Sequence, residues 1–419
     1  MSALDLDANF FRHEYGRLVA VLSRRAGVQH LEAVEDAVQN ALTKALETWT
    51  TRGLPDAPSA WLFRVANNAL LDELRQGAGH RRILAEKLPV ADEREAEPSV
   101  PPLAGEIRDD MLRMLLLCCA SSIPRESQLA LALKTLCGFD VREIALRLFT
   151  SEANVYKRLG RAREELRGSE LRERLDDSLV DGDRIDSVCQ VLYLMFTEGF
   201  LSSHESEAIR RELCDEAIRL GTILVEHPRA QRPEAMALLA LMHLHRARMA
   251  GRTDASGGLL LLEDQDRSQW SPEDIHIGLH WLGRSANGDA FTRFHAEAGV
   301  AAEHCVAPSF EETRWERVVE CYELLDAVSP TPSALHRLNR AVALAEWQGP
   351  EAGLALLEAE APPSWLAGSY LWSAVLADLH RRCGHRDRAA HYRECALRDA
   401  PSAPIRQLLE RRLGDQEPP

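Results

Sequence analysis

Apolar residues along this chain recur at the three- and four-residue spacing of amphipathic helices. The clearest apolar face comes from Val34, Ala37, Val38, Ala41, Leu42 and Ala45. No stretch alternates apolar and polar residues convincingly over the length of a β-strand. The pattern therefore predicts an all-α protein.

The helical pattern falls into blocks separated by polar, acidic connectors. The predicted organisation is a first helical block (1–77), a linker (78–110), a second helical block (111–168), a connector (169–184) and a long third block (185–419). The linker contains four prolines, an acidic run and no aromatic residue, which is typical of a spacer between domains.

The second block has the order of a helix-turn-helix. One helix is predicted from Gln128 to Leu136, and Asp140 is placed to cap a short helix from Val141 to Leu148. Ser151 then caps a third helix. Its apolar residues face inward, and they are Val155, Leu159, Ala162 and Leu166. This arrangement is typical of a module that places its last helix in the major groove of DNA.

The third helix carries a cluster of basic residues in a chain of net charge −15. Its candidate DNA-binding residues are Ser151, Asn154, Lys157, Arg158, Arg161 and Arg163. Cations beside short polar residues at the start of a helix suit contacts to phosphates and base edges. A solvated helix face accounts for the same pattern, so this helix alone leaves both interpretations open.

The first block predicts two amphipathic helices that carry polar edges. In the first helix, Glu35, Asp36, Gln39 and Lys44 are expected to face outward. In the second helix, Ser59 is expected to act as the cap, and the residues expected to pack are Trp61, Val65, Ala69 and Leu70. Its polar edge consists of Asn67, Asn68, Asp72 and Arg75. Trp61 and Phe63 fit either a base-binding pocket or a plain hydrophobic core.

The two blocks together resemble a bacterial RNA polymerase sigma factor of the extracytoplasmic-function group. The stretch Asp36-Ala-x-Gln39-x-Ala41 and the helix from Ala60-Trp61 to Leu74-Arg75 are similar to region 2. The stretch from Val155 to Arg163 is similar to the recognition helix of region 4. The resemblance covers about the first 167 residues, and region 3 is absent, as it is in that group.

This resemblance implies a function and assigns residues to it. Core polymerase, through its β′ clamp and β subunits, is expected to bind Glu35, Asp36, Gln39 and Asn40. The minus-ten promoter element is expected to contact Trp61, Arg64, Asn67, Asn68 and Arg75. The candidate residues on the Ser151 helix are expected to bind the minus-thirty-five element.

The third block contains a segment with the spacing of a tetratricopeptide repeat, from Leu371 to Pro401. It resembles the C-terminal extension of one sigma-factor subgroup, and the stretch from Arg252 to Trp270 is the most recognisable part. The resemblance implies a domain that regulates the sigma regions. Stacked helix pairs also suit a protein or peptide partner.

Composition and motifs limit the remaining functions. The overall acidity confines DNA contacts to local basic patches. Nine unpatterned cysteines and the lack of a signal peptide or apolar membrane segment indicate a cytoplasmic protein.

Two candidate metal sites are incomplete in the sequence. Asp264-x-Asp266-x-Ser268 lacks the glycine and glutamate of a calcium loop, and the pair His276 and His280 lacks a third ligand.

We therefore expect no metal, no cofactor and no catalytic residues. The main alternative to a sigma factor is a helix-turn-helix regulator with a repeat-type sensor domain, which would not need a polymerase-binding region 2. A pure interaction scaffold would leave the basic face of the Ser151 helix without a purpose.

Overall fold

The structure of the chain is a computed structural model. It describes residues 8–84, 104–148, 150–168, 182–200, 209, 211–228, 230–254, 260–287, 290–329, 333–401 and 403–414. All the secondary-structure elements in these ranges are helices, so the all-α prediction is confirmed. The chain forms two compact units, one of Met1–Met195 with Thr222–Ala230 and one of Phe196–Gly221 with Gln231–Pro419.

The first unit is built from the N-terminal helices. In chain order they are α1 (Ala8–Ala26), α2 (Leu31–Arg52), α3 (Pro58–Leu84), α4 (Ala104–Cys118), α5 (Arg125–Thr135), α6 (Val141–Arg147), α7 (Glu152–Gly168) and α8 (Gly182–Phe200). A 3₁₀ turn over Val28–His30 precedes α2. The last residues of α8 belong to the second unit.

Helix α1 is the centre of the first unit, because α2, α3, α4 and α5 all pack on it. Leu18 and Leu22 are completely buried in this core. Gly16 lies where α1 meets the end of α5, and a Cβ at this position would lie 2.0 Å from the carbonyl oxygen of Leu136. Only a glycine therefore permits the observed approach of the two helices.

The apolar face predicted for α2 is buried, apart from Leu42, which is half-buried. Two expectations for the first block are wrong. Glu35 is buried rather than outward-facing. Ser59 does not cap α3, because the helix already begins at Pro58 and the Ser59 hydroxyl donates instead to Glu14 at 2.8 Å. Phe63 belongs to the core.

The linker predicted over 78–110 is shorter in the structure. Helix α3 continues to Leu84, and α4 begins at Ala104. Helix α4 begins about two turns before residue 111, the predicted start of the second block, and its residues Met111 and Leu112 are buried. Residues 85–103 and most of the connector, 169–181, lie outside the described residues.

The start of the third block belongs to the first unit rather than to the C-terminal domain. Ile185, Val188 and Leu192 of α8 are buried, and the thiol of Cys137 lies 3.7 Å from the sulfur of Met195. The boundary expected at residue 185 therefore moves to the position after Met195.

The second unit contains the remaining helices. They are α9 (Arg211–Glu226), which also enters the first unit, α10 (Pro233–Ala247), α11 (Pro272–Ser285), α12 (Arg293–Val306), α13 (Trp315–Val328), α14 (Ala334–Gln348), α15 (Pro350–Glu358), α16 (Ser364–Ala367), α17 (Tyr370–Arg382), α18 (Arg386–Arg398) and α19 (Ala403–Leu413).

Consecutive helices of this unit pack as hairpins, most extensively α10 with α11, α14 with α15 and α17 with α18. Gly349 and Gly384 have positive φ angles at the turns between the last two pairs. Ala396 is completely buried between α17 and α19, whereas Ala389 is only half-buried. The structure confirms a helical C-terminal domain, while regular tetratricopeptide repeats stay a prediction.

The described parts of the stretch from Arg252 to Trp270, residues 252–254 and 260–270, pack within the second unit. The N–H of Leu260 donates to the carbonyl of Arg252 at 2.8 Å. The ring of Trp270 is buried and lies 4.5 Å from the guanidinium carbon of Arg267. Asp266 accepts from the backbone N–H and the hydroxyl of Ser268, so its carboxylate serves a local turn.

The close contact at Gly16 can be tested by substitution. Gly16→Ala should lower the free energy of unfolding by about 1–3 kcal/mol, because the added methyl group overlaps the Leu136 carbonyl. Gly160→Ala on α7 is the matched control, since nothing lies within 4 Å of its Cβ position. It should stabilise the protein by about 0.5–1 kcal/mol. Urea unfolding followed by circular dichroism measures both, and equal effects would contradict the packing.

Candidate functional site

Helix α7 is positioned as the recognition helix of a helix-turn-helix. Asp140 and Glu143 form a reciprocal capping box that starts α6. The Ser151 hydroxyl accepts from the N–H of Asn154 at 3.3 Å and thereby starts α7. All four predicted inward residues of α7, Val155, Leu159, Ala162 and Leu166, are buried. The rest of the helix is thus fixed with its polar face outward.

Two of the basic residues on α7 are free at the surface. Lys157 and Arg161 are exposed, and neither forms an ion pair with another residue in the described ranges. Asn154 is exposed beside them, and Tyr156 is 62% exposed, which is unusual for an aromatic side chain. Tyr156 is not among the residues that the sequence predicts to bind DNA. This face offers two uncompensated cations to an approaching polyanion.

The other predicted DNA-binding cations are held by carboxylates. Arg158 pairs with Glu126 at 2.5 Å. Arg163 pairs with Glu35 and also with Glu32, the latter at 3.3 Å. Arg167, one turn further on, pairs with Glu32 at 2.5 Å. The candidate site therefore divides into a free pair of cations and a neutralised set.

Glu35 is the centre of the contact between α2 and α7. Its side chain is only 4% exposed. One carboxylate oxygen accepts from the Thr135 hydroxyl at 3.0 Å, and the other accepts from the Arg163 guanidinium. Burial and then the Glu35 carboxylate raise the pKa of the neighbouring Tyr15 well above its ordinary value. Glu35 therefore has structural partners in a position where a polymerase contact was expected.

The remaining predicted polymerase-binding residues lie at the surface. Asp36, Gln39 and Asn40 are exposed on α2, while Val38 and Ala41 of the same helix are buried. The three polar side chains form a continuous exposed edge, because they lie within about one helical turn. This edge can accept a docking surface without any change in the core.

The predicted minus-ten residues lie along α3. Arg64, Asn68 and Arg75 are exposed, whereas Asn67 is half-buried. Trp61 is half-buried too, with its ring centroid 5.4 Å from that of Trp49 in an edge-to-face contact. Trp61 is thus partly a core residue and partly accessible.

A metal site and a membrane span are both absent from the residues that the structure describes. No group of three His, Cys, Asp or Glu side chains in the described part of the chain could hold a metal ion. None of the helices described has the length and apolar character needed to cross a bilayer.

Comparison with known families matches three segments. Residues 10–79 match sigma-70 region 2, and residues 113–166 match sigma-70 region 4. Residues 184–286 match DUF6596, a family of unknown function. The region 2 match covers α2 and most of α3, and the region 4 match covers α5, α6 and most of α7. No solved structure gives a significant match.

Relatives extend the comparison along the chain. An uncharacterized protein of Rhizobium meliloti is 33% identical over 385 residues, which cover 91% of this chain and 90% of the relative. A probable RNA polymerase sigma factor RfaY of Xanthomonas campestris is 30% identical over 39% of this chain and 41% of its own length. The ECF RNA polymerase sigma factor SigM of Mycobacterium tuberculosis is 29% identical over 38% of this chain and 74% of its own length.

The fold, the two sigma regions and these relatives place the chain in the extracytoplasmic-function family of RNA polymerase sigma factors, with a C-terminal extension after region 4. It is an alternative sigma factor that binds core polymerase and promoter DNA and directs transcription initiation. The match to region 2 decides against a simple helix-turn-helix regulator.

The buried Glu35 carboxylate can be removed to test the α2–α7 contact. Glu35→Ala should lower the free energy of unfolding by about 3 kcal/mol, because Arg163 and Thr135 lose a buried acceptor. Asp36→Ala on the exposed side of α2 should change it by less than about 0.5 kcal/mol. Urea unfolding gives both values, and equal losses would show that Glu35 does not hold the two helices together.

Proposed function

We propose that three exposed edges of the first unit divide the work of promoter recognition. The observation that supports this is the same on each helix: the apolar face is buried, and at least two of the predicted contact residues are exposed. Asp36, Gln39 and Asn40 dock on the β′ clamp of polymerase. Lys157 and Arg161 bind the upstream promoter element.

The third exposed edge lies on α3 and is proposed to bind the minus-ten element. Arg64, Asn68 and Arg75 contact the DNA there. Arg75 has an acidic neighbour, Asp72, at 3.7 Å, but both side chains are about 70% exposed, at 69% and 70%. An exposed pair of this kind contributes little energy and yields readily to a phosphate.

The contact between α2 and α7 determines when Arg163 can take part in DNA binding. Arg163 cannot bind a phosphate while its guanidinium is bonded to Glu35 and Glu32. We therefore assign the initial contact with DNA to Lys157 and Arg161. Arg163 joins them only after α7 has separated from α2, and Glu35 is then released towards the polymerase.

Run-off transcription with purified core polymerase tests the polymerase contact. Asp36→Lys together with Gln39→Ala should weaken binding to core about tenfold or more and lower transcript yield, because both residues lie on the docking edge. Glu47→Lys makes a similar charge change at an exposed position of the same helix and should leave binding unchanged. Unchanged affinity of the double variant for core would remove the role given to this edge.

The C-terminal domain is proposed to regulate the sigma regions from within the same chain. Covalent attachment gives it a high effective concentration near them. The full-length similarity to the Rhizobium meliloti protein supports a domain that accompanies the sigma regions as a unit. A protein or peptide partner for this domain stays a prediction.

Two further expectations also belong here. The chain is proposed to act in the cytoplasm, because core polymerase and promoter DNA are found there. It is proposed to have no enzymatic activity of its own, since the sequence contains no recognisable nucleophile–base pair or phosphate-binding glycine loop.

Regulation by the C-terminal domain predicts a change in promoter output when that domain is altered. Truncation after Met195 keeps the first unit's N-terminal helices and should change reporter output several-fold at matched protein levels. Ala396→Asp should reproduce part of the change, because it buries a charge. Ala390→Asp places the same charge at an exposed position of α18 and should leave reporter output unchanged. Equal output from all four proteins would make the extension a passive segment.

A further inference from the structure

The second unit contains an open cavity with a volume of about 1240 Å³. Helices α12, α13, α14, α17 and α19 contribute to its walls, together with the end of α10 and residues 260–264. On one side it is lined by His245, Arg248 and His304. The aromatic residues Phe310, Trp315 and Tyr322 also line it. A cavity of this size can hold a small organic molecule.

Arg248 is a buried cation without a carboxylate partner. Its side chain lines the cavity, yet the residue is only 9% exposed. The guanidinium carbon lies 5.3 Å from the centre of the Trp270 ring. Its Nε is buried and has no hydrogen-bond acceptor among the protein atoms, and Arg248 forms no ion pair within the described ranges. A buried charge of this kind is energetically costly unless it is compensated.

Two more guanidinium groups interact electrostatically with Arg248 without lining the cavity, and they are not neutralised either. Arg252 donates to the carbonyl of Phe200 and lies 3.8 Å from the centre of its ring. Arg267 donates to the carbonyls of His304 and Ala307 at 2.7 and 2.8 Å. Neither arginine pairs with a carboxylate among the residues that the structure describes. Their partners are carbonyl oxygens and aromatic rings, which carry no full negative charge.

The charge of this group is fixed at neutral pH. Burial lowers the pKa of Arg252 to about 10, so the guanidinium remains protonated. Burial and then Arg248 lower the pKa of His245 and of His304 to about 3, so both imidazoles are neutral. The Nδ1 atom of each ring is buried and lacks a partner among the protein atoms. The cavity wall therefore combines the uncompensated Arg248 guanidinium with two unsatisfied imidazole nitrogens, and Arg252 and Arg267 add positive charge outside the lining.

The carboxylates of the cavity belong to other walls. Glu346 pairs with Arg382 at 2.5 Å, and Asp378 pairs with Arg381 at 2.7 Å and with Arg412 at 3.4 Å. Glu263 and Asp264 lie on the segment 260–264, and burial raises the pKa of Glu263. These groups do not form ion pairs with Arg248, Arg252 or Arg267 in the described part of the chain.

We propose that this cavity binds a small organic anion. Its acidic group pairs with the Arg248 guanidinium, and its aromatic or apolar part packs against Phe310 and Trp315. An anion at this position compensates a buried charge that the protein itself leaves without a partner. The aromatic lining favours a ligand with a ring over an inorganic ion. The proposal concerns binding alone and is independent of whether the domain regulates transcription.

Calorimetric titration of the full-length protein tests the site, with phenylacetate as the probe and phenylacetamide as its uncharged counterpart. Phenylacetate should bind and the amide should bind at least about tenfold more weakly, because a charge-assisted hydrogen bond is lost. Arg248→Met should weaken phenylacetate binding about tenfold or more. Arg317→Gln removes an arginine that is 60% exposed on α13 and should leave binding unchanged.

The folding of the Arg248 variant is checked by its melting temperature without ligand. Arg248→Met removes an unpaired buried charge, so the melting temperature should stay the same or rise. Trp315→Leu tests the ring contact independently: it should weaken phenylacetate binding and leave the weaker binding of inorganic phosphate unchanged. Three outcomes would each overturn the proposal. The native protein could fail to bind phenylacetate, or it could bind phenylacetate and phenylacetamide with equal affinity. The third outcome is an equal loss of phenylacetate affinity in Arg248→Met and Arg317→Gln.

Discussion

The arrangement of the sigma regions depends on one buried carboxylate. Glu35 lies on α2 of region 2, but its hydrogen-bond donors, Thr135 and Arg163, belong to α5 and α7 of region 4. A buried carboxylate is destabilising unless each oxygen is satisfied, and here each oxygen accepts from region 4. The two regions are therefore held together by a polar constraint, and α1 supplies the apolar surface that both share.

The same contact explains which parts of the site could be predicted. Helical periodicity located α2, α3 and the helix-turn-helix, because an apolar face is a local property of the sequence. The caps at Asp140 and Ser151 followed from short polar residues at helix starts. The burial of Glu35 was not predicted, since the donors that satisfy its carboxylate lie at least 100 positions away in the sequence.

Tertiary packing decides two features that helical periodicity does not determine, the role of Ser59 and the unit to which α8 belongs. The predicted cap Ser59 is bonded to Glu14 of α1, a partner that the local sequence does not reveal. Helix α8 looked like the start of the C-terminal domain because it follows an acidic connector. Its apolar face is buried in the first unit, and hydrophobicity alone does not say which core a helix will join.

The second unit contains a buried charge, that of Arg248, whose surroundings differ from those of Glu35. In the first unit, the buried Glu35 is matched by donors from the same chain. In the second unit, Arg248 is buried beside Trp270 and has no carboxylate of its own in the described ranges. The second unit also pairs buried carboxylates such as Asp378 with arginines, but Arg248 is left on the cavity wall without a compensating carboxylate among the described residues.

The Glu35–Arg163 pair has a consequence for how the protein is made. The partners are 128 residues apart, and the ribosome adds about 5–20 residues per second. Helix α2 is therefore synthesised about 6–25 s before α7. During that interval the Glu35 carboxylate is hydrated rather than paired, and region 2 must hold its helices by its own apolar contacts and by hydrogen bonds such as that from Ser59 to Glu14. The sigma regions become one structure only when the recognition helix has left the ribosome.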